Sequence, residues 1–137
     1  MNIRDFTIED YDRAIQLWKT DENIGLSSAD SREAIEQFLE RNPGLSKVMI
    51  VQDKIIGTLL CGHDGRRGYL YHLFIDKPYR RMGAGRRLVD TCLDKLEKQN
   101  VRKCHLFIFI KNEPGKSFWK AIDWTHRNDI DIFSKDI

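Results

Sequence analysis

A chain of 137 residues is long enough for one domain with a real hydrophobic core and too short for two, so residues 1–137 are expected to form a single domain. Apolar residues make up 41% and charged residues 32%, values that exclude disorder, and no apolar run approaches membrane-spanning length. The formal charge of +2 excludes a global field aimed at nucleic acid or an anionic membrane, although arginines cluster locally at Arg66-Arg67 and at Arg80-Arg81 with Arg86-Arg87.

In chain order, residues 3–6 read as a short strand. Thr7-Ile8-Glu9-Asp10 then resembles a capping box, and Tyr11, Ala14, Ile15 and Trp18 follow at helical spacing. Residues 20–28 lack periodicity and contain Gly25, which predicts a loop. Ala34, Ile35, Phe38 and Leu39 make a second amphipathic helix, closed by Asn42-Pro43-Gly44. The period then changes: residues 48–51 and 55–61 read as strands joined by Gln52-Asp53-Lys54. His63-Asp64-Gly65-Arg66-Arg67-Gly68 predicts a further hairpin connection into a strand over residues 69–75. After Pro78, a glycine-rich turn opens the best helix in the chain, with Leu88, Val89, Cys92, Leu93 and Leu96 on one face. Residues 106–110 form an apolar run that predicts a strand buried on both faces. Strand, helix and strand within about forty residues make a βαβ unit, so that strand pair should be parallel. A short helix over residues 116–121 and a last strand over residues 130–133 complete the expected elements. The fold class is therefore α/β (α+β): a mixed, mostly antiparallel central sheet flanked by helices, with a βαβ unit around the glycine-rich loop.

Three cysteines, Cys61, Cys92 and Cys104, are odd in number and lack CxxC spacing, which fits reduced thiols better than a disulfide framework or a zinc site. The first residues carry no signal-peptide pattern. A cytoplasmic protein is the expectation, and His63, His105 and His126, without partners at metal-ligand spacing, are read as structural rather than as metal ligands.

The segment from Leu73 to Leu88 carries the chemistry. A strand runs into a turn with Gly83 and Gly85 two residues apart, and a helix starts there. Glycine removes the Cβ that would keep a phosphate from the backbone, and the free amides at the positive end of the helix bind an anion. Arg81 and Arg86 add charge-assisted contacts suited to phosphate. The spacing is neither GxxxxGK[ST] nor GxGxxG, because Leu88 occupies the third glycine position of the latter.

Arg80-Arg81-Met82-Gly83-Ala84-Gly85 resembles the Gln/Arg-x-x-Gly-x-Gly/Ala signature of the GCN5-related N-acetyltransferases. The preceding Leu73-Phe74-Ile75-Asp76-Lys77-Pro78-Tyr79 is similar to that family's signature strand end, and Asn112, Phe118-Trp119 and Asp123-Trp124 resemble its later Asn, Phe-Tyr and Gly-Phe segment. The order of elements matches as well. The resemblance implies that acetyl-CoA is the co-substrate and that the signature strand and its neighbour splay apart to take the pantetheine arm. It implies cofactor-binding positions at Leu73, Phe74, Ile75, Arg80, Arg81, Met82, Gly83, Ala84, Gly85 and Arg86, with Asn112 and Trp119 further on. It implies direct attack of an amine on the acyl carbonyl without a covalent enzyme intermediate, so no cysteine needs a nucleophilic role. The acceptor it implies is a small-molecule or peptide amine, with no nucleic-acid or membrane partner. Homodimers are common among such relatives, and a dimer would be consistent with an exposed edge strand near the C-terminus.

The chain also departs from the family pattern. Trp119 stands where many relatives place a tyrosine that protonates the CoA sulfur, and Phe107 stands where many carry a glutamate. Asp123 occupies a usual glycine position, which could strain that turn. His72 is a base candidate, because it sits where relatives often place an acidic residue and imidazole suits proton abstraction near neutral pH; the alternative is a histidine hydrogen-bonded in or beside the sheet. Tyr71 and Asp64 are secondary candidates, with Asp64 more simply a turn residue. Trp18, Phe38, Phe107, Phe109, Phe118 and Trp124 read as core. Asp21, Glu22 and Asp30 read as an acidic solvated loop, with attraction of a cationic amine as the alternative. Two rivals to an enzyme remain: an acyl-CoA-binding module without turnover, and an arginine cluster contacting nucleic acid, which would bind in a salt-sensitive manner.

Overall fold

Five strands lie side by side in the order in which the chain makes them. They are β1 (Asn2–Asp5), β2 (Lys47–Val51), β3 (Lys54–His63), β4 (Gly68–Ile75) and β5 (Cys104–Leu106). The computed structural model describes residues 1–137, which group into two compact units, Met1–Phe107 and Ile108–Ile137.

In the first unit, β1 to β4 are antiparallel to their neighbours and β5 joins β4 in parallel. Both expected hairpins are present. Gln52 and Asp53 have φ of 50° and 63°, so the two-residue turn from Val51 to Lys54 has the left-handed geometry that matches strand twist. In the β3–β4 connection, Asp64 Oδ1 accepts the amides of Arg66 and Arg67, each at 2.8 Å, which makes Asp64 a turn residue.

The helices cover both faces. Adjacent strand residues point to opposite sides of a sheet. Thr58 receives a hydrogen bond from Trp18 in α1 (Tyr11–Lys19), whereas a Cβ on neighbouring Gly57 would meet Leu88 Cδ1 of α3 (Ala84–Lys98) at 3.3 Å. α1 and α3 therefore lie on opposite faces. Trp18, Leu17 and Ala14 of α1 and Ile35 of α2 (Arg32–Arg41) form one core with Phe6, Val48, Ile55, Leu60 and Phe74. Leu88, Val89, Cys92 and Leu96 are the buried side of α3. The capping box ahead of α1 is closed by Asp10, whose carboxylate accepts the Thr7 amide at 2.9 Å and pairs with Arg4 at 2.8 Å.

Two expectations about strands are corrected. The apolar run 106–110 is not a strand buried on both faces: β5 ends at Leu106 and pairs with β4 over three residues at the sheet edge. Phe107, Phe109 and Ile110 are more than half exposed, so Phe107 and Phe109 are not core. An apolar run describes side chains that fit a dry strand, but an edge position has no second neighbour to bury them. Residues 130–133 form no strand either, and Ile130, Ile132 and Phe133 are exposed. Alternation selects a face only once a neighbouring strand completes the ladder, and the second unit contains none.

That second unit holds α4 (Glu113–Ala121), where Asn112 caps the N-terminus through its side-chain oxygen to the Gly115 amide at 2.9 Å. A Cβ on Gly115 would meet Asn112 Nδ2 at 2.4 Å, so glycine makes room for the cap. The helix ends in a Schellman turn: Trp124 N donates to Trp119 O at 2.9 Å and Asp123 N to Lys120 O at 3.1 Å. Trp119 and Trp124 pack edge to face at 4.8 Å across it, and Trp119 also meets Phe118 at 5.1 Å. Asp123 holds the left-handed position at φ 70° where glycine is cheapest, which locates the strain foreseen there. Asp123→Gly should relieve it and stabilise the turn by up to about 1 kcal/mol. The check is hydrogen exchange at the Trp124 amide, which should slow; faster exchange would show that the aspartate is favourable there.

Candidate active site

The sheet opens along β4. Its parallel ladder with β5 covers only Gly68 to Leu70, whereas the antiparallel ladder with β3 continues to Ile75. Residues 71–75 thus have no strand partner on that side, where only the Ile75 carbonyl is taken, by Arg80 Nε. Asp76 then caps a short 3₁₀ turn, Lys77–Tyr79, through its side chain to the Lys77 amide, with Pro78 inside the turn.

Positive φ at Arg81 (63°) and Gly83 (79°) turns the chain into α3. The first helical bond runs from Arg87 N to Gly83 O at 3.1 Å, so the amides of Gly83, Ala84, Gly85 and Arg86 have no acceptor within the helix. A Cβ on Gly83 would meet nothing within 4 Å, and Arg81, Met82 and Arg86 are exposed. Four free amides at the positive end of a fifteen-residue helix, with the exposed Arg81 and Arg86 in the same loop, have the geometry and charge to hold an anion. Arg80 has a different role from its neighbours. Its Nε donates to Ile75 O at 2.7 Å and its guanidinium lies over the Phe74 ring at 5.8 Å, tying the loop back to the end of β4. Phe74 itself is core and its backbone faces β3, leaving the backbone of Leu73 and Ile75 along the open edge.

The second feature is a bulge in the middle of β4. Leu60 pairs with Tyr71 and Thr58 with Phe74, so two residues, His72 and Leu73, oppose the single Leu59. His72 has φ 55°, a left-handed conformation that costs a non-glycine residue roughly 1–2 kcal/mol. Such strain persists only where neighbours over-determine it. Trp18 Nε1 donates to Thr58 Oγ1 at 2.9 Å, and that hydroxyl donates to His72 O at 2.9 Å. The His72 ring rests on Trp18 with centroids 4.7 Å apart. One consequence is that two consecutive side chains face the α1–α2 layer, since Tyr71 meets Phe38 of α2 edge to face at 6.1 Å.

His72 Nε2 lies 2.6 Å from Asp30 Oδ1. Asp30 is 8% exposed, so it is not part of a solvated acidic loop as its composition suggested. Its second oxygen, Oδ2, accepts the Ser27 amide at 2.9 Å, and its carbonyl accepts the Tyr11 hydroxyl at 2.6 Å. The S-x-x-D spacing of Ser27 and Asp30 signals a cap, but nothing in the sequence pairs Asp30 with a histidine 42 positions away. Sequence reasoning missed the pairing of Asp30 with His72, and the parts played by Thr58 and the indole of Trp18 in holding that histidine.

Burial, with smaller contributions from Tyr69 and Cys104, pushes the Tyr71 phenol up, so it keeps its proton at neutral pH. The three cysteines are free. Cys61 is pushed up by its hydrogen bond with Cys92 and by burial, and Cys104 is pushed up to about 12, mainly by burial. Neither is a thiolate nucleophile at neutral pH. Asn112 and Trp119 belong to the second unit, the first as the α4 cap and the second inside its aromatic cluster. No helix is long and apolar enough to cross a membrane.

A mixed sheet opened along one strand, which carries a strained histidine and leads into a helix start with free amides, is the framework of an acyltransferase. The chain belongs to the acetyltransferase (GNAT) family, whose sequence pattern matches residues 11–124. It is 31% identical over 136 residues to an acetyltransferase of Photorhabdus laumondii subsp. laumondii, covering 98% of this chain and 94% of that one. The fold is shared with Ard1 of Thermoplasma volcanium at a TM-score of 0.79 and 20% identity, over 90% of this chain and 82% of the other. It is shared also with the PaiA N-acetyltransferase of Thermoplasma acidophilum, solved in complex with coenzyme A, at a TM-score of 0.76 and 20% identity over 88% and 87% of the two chains.

Proposed function

We propose that this protein transfers an acetyl group from acetyl-CoA to a primary amine by direct attack. The observation that carries it is the continuity of two features along β4: a backbone edge without a strand partner over residues 71–75, then the free amides of residues 83–86. An extended amide-bearing arm ending in a pyrophosphate needs both, in that order. The pantetheine would hydrogen-bond to the backbone of Leu73 and Ile75, and the pyrophosphate would sit on the amides between Gly83 and Arg86 with Arg81 and Arg86 beside it. Family membership and the fold shared with a protein solved with coenzyme A support the same reading.

The amine nitrogen forms the new C–N bond as the C–S bond of the thioester breaks. His72 takes the proton that the nitrogen loses, and the thiolate receives a proton from Tyr71 or from water. The acceptor is a small-molecule or peptide amine, and a soluble cytoplasmic setting fits such substrates.

The test is the thermal midpoint with and without acetyl-CoA. At about a hundred times its Kd, a ligand stabilises the folded state by about 2.7 kcal/mol, which is roughly 9 °C for a domain of this size. Gly83→Glu places a carboxylate where the pyrophosphate would bind and should remove the shift while leaving the chain folded. Spermidine, kanamycin and a lysine-containing peptide then serve as trial acceptors. A wild type unmoved by acetyl-CoA rejects the proposal. A shift without turnover on any amine would favour a binding module instead.

A further inference from the structure

We propose that Asp30 is the positioning residue that fixes the tautomer of His72, so that Nδ1 carries the lone pair that takes the proton of the attacking amine. This rests on the acetyl-transfer proposal above for its chemical consequence, but its structural content stands apart from it.

Each step follows from the contacts of the pair. Above its own pKa a carboxylate has no proton to give, so across the 2.6 Å contact His72 Nε2 must be the donor and Asp30 Oδ1 the acceptor. In the neutral imidazole the proton then sits on Nε2, and Nδ1 is the basic nitrogen. Every buried side-chain nitrogen and oxygen in the chain has a hydrogen-bond partner, yet His72 Nδ1 makes no hydrogen bond. It is therefore not fully buried, and the 13% exposure of the His72 side chain agrees. The nitrogen without a hydrogen bond is thus the one open to a proton, on a residue of the strand whose ladder with β5 stops at Leu70.

The carboxylate is held as firmly as the ring. Ser27 N anchors Oδ2 at 2.9 Å, and the Tyr11 hydroxyl anchors the Asp30 carbonyl at 2.6 Å. On the other side, the Trp18–Thr58 relay fixes the His72 backbone and the indole supports its ring. Asp30 arrives from the segment between α1 and α2, and His72 from a bulge that bears left-handed strain. Both elements are shaped to bring these two groups together.

The same geometry dictates what Asp30→Asn would do. A backbone amide can only donate, so the asparagine oxygen must remain on Ser27 N. The side-chain NH₂ then faces His72 Nε2, which becomes an acceptor, and the imidazole proton moves to Nδ1. The packing stays and the base is lost, as in other histidine–carboxylate pairs.

The experiment is long-range ¹H–¹⁵N NMR of the histidine rings at a pH where His72 is neutral. Wild type should show His72 protonated on Nε2, and Asp30→Asn should switch it to Nδ1. A wild-type ring protonated on Nδ1 overturns the proposal without any variant, and so does an Asp30→Asn ring that remains protonated on Nε2. For function, turnover uses whichever of spermidine, kanamycin and the lysine peptide reacts fastest. Asp30→Asn should lower kcat at least about 100-fold with an unchanged KM for acetyl-CoA. Adding it to His72→Gln should cost little more, because the two residues act as one unit. Full additivity in that double variant would sink the positioning role. A wild type that neither binds acetyl-CoA nor turns over would sink the acetyl-transfer proposal, while the ring tautomers would still decide the role of Asp30.

Discussion

His72→Gln is expected to lower kcat by about 10²- to 10⁴-fold, the usual contribution of a positioned general base. Glutamine is chosen because its terminal NH₂ can donate to Asp30 Oδ1 as imidazole Nε2 does, so the carboxylate is not left unpaired. What it cannot do is accept a proton at neutral pH. The β4 edge and the amides of residues 83–86, proposed to hold the cofactor, are untouched. The midpoint shift with acetyl-CoA should therefore match that of wild type, and the effect should fall on kcat rather than on KM for acetyl-CoA. Steady-state kinetics on the two proteins, with the shift measured in parallel, separates the cases. Equal kcat values would remove His72 from the chemistry and leave it a strained structural residue.

Trp18→Ala should be the most damaging single truncation in the core, at about 3–5 kcal/mol. Trp18 is fully buried, stacks on Phe6 at 6.1 Å and meets the tilted His72 ring at 4.7 Å. Against a total stability of about 5–15 kcal/mol, that loss leaves a marginal protein. Urea denaturation would report a lower midpoint with an unchanged slope if only stability has changed. Trp18→Phe divides the effect. It keeps most of the packing but removes the donor to Thr58 Oγ1, costing about 1–2 kcal/mol. Because Thr58 holds the His72 carbonyl, the milder variant should also slow turnover more than its stability loss explains. A Trp18→Phe protein with wild-type kcat would show that the bulge keeps its geometry without the relay.

The site sits where local rules are broken. A left-handed histidine in mid-strand, a left-handed arginine before the helix and a buried aspartate between two helices each go against propensity. Each is held by a named contact or leads into the anion site. The cap at Asn112 and the left-handed Asp123, by contrast, satisfy the two ends of α4.

The chain's own pattern determined the elements and one half of the site. Helical stripes, the alternation of β2 to β4, the hairpin turns and the glycine-rich start of α3 are readable because they depend on residues within a few positions of one another. So is the anion site, since free amides follow from any helix start and Gly83 is visible as a letter. Tertiary structure alone decided the rest. The apolar run at 106–110 contains nothing to say that the ladder with β4 stops at Leu106, because a strand's length is set by its neighbour. The alternation at 130–133 came to nothing because no strand within its unit completes a ladder. The bulge at His72 is a mismatch between two strands, which neither strand encodes by itself. Asp30 looked like a surface acid and became a buried partner of His72: the Ser27 amide is a local donor, but the second donor comes from a residue 42 positions on, and only the fold brings it to the carboxylate.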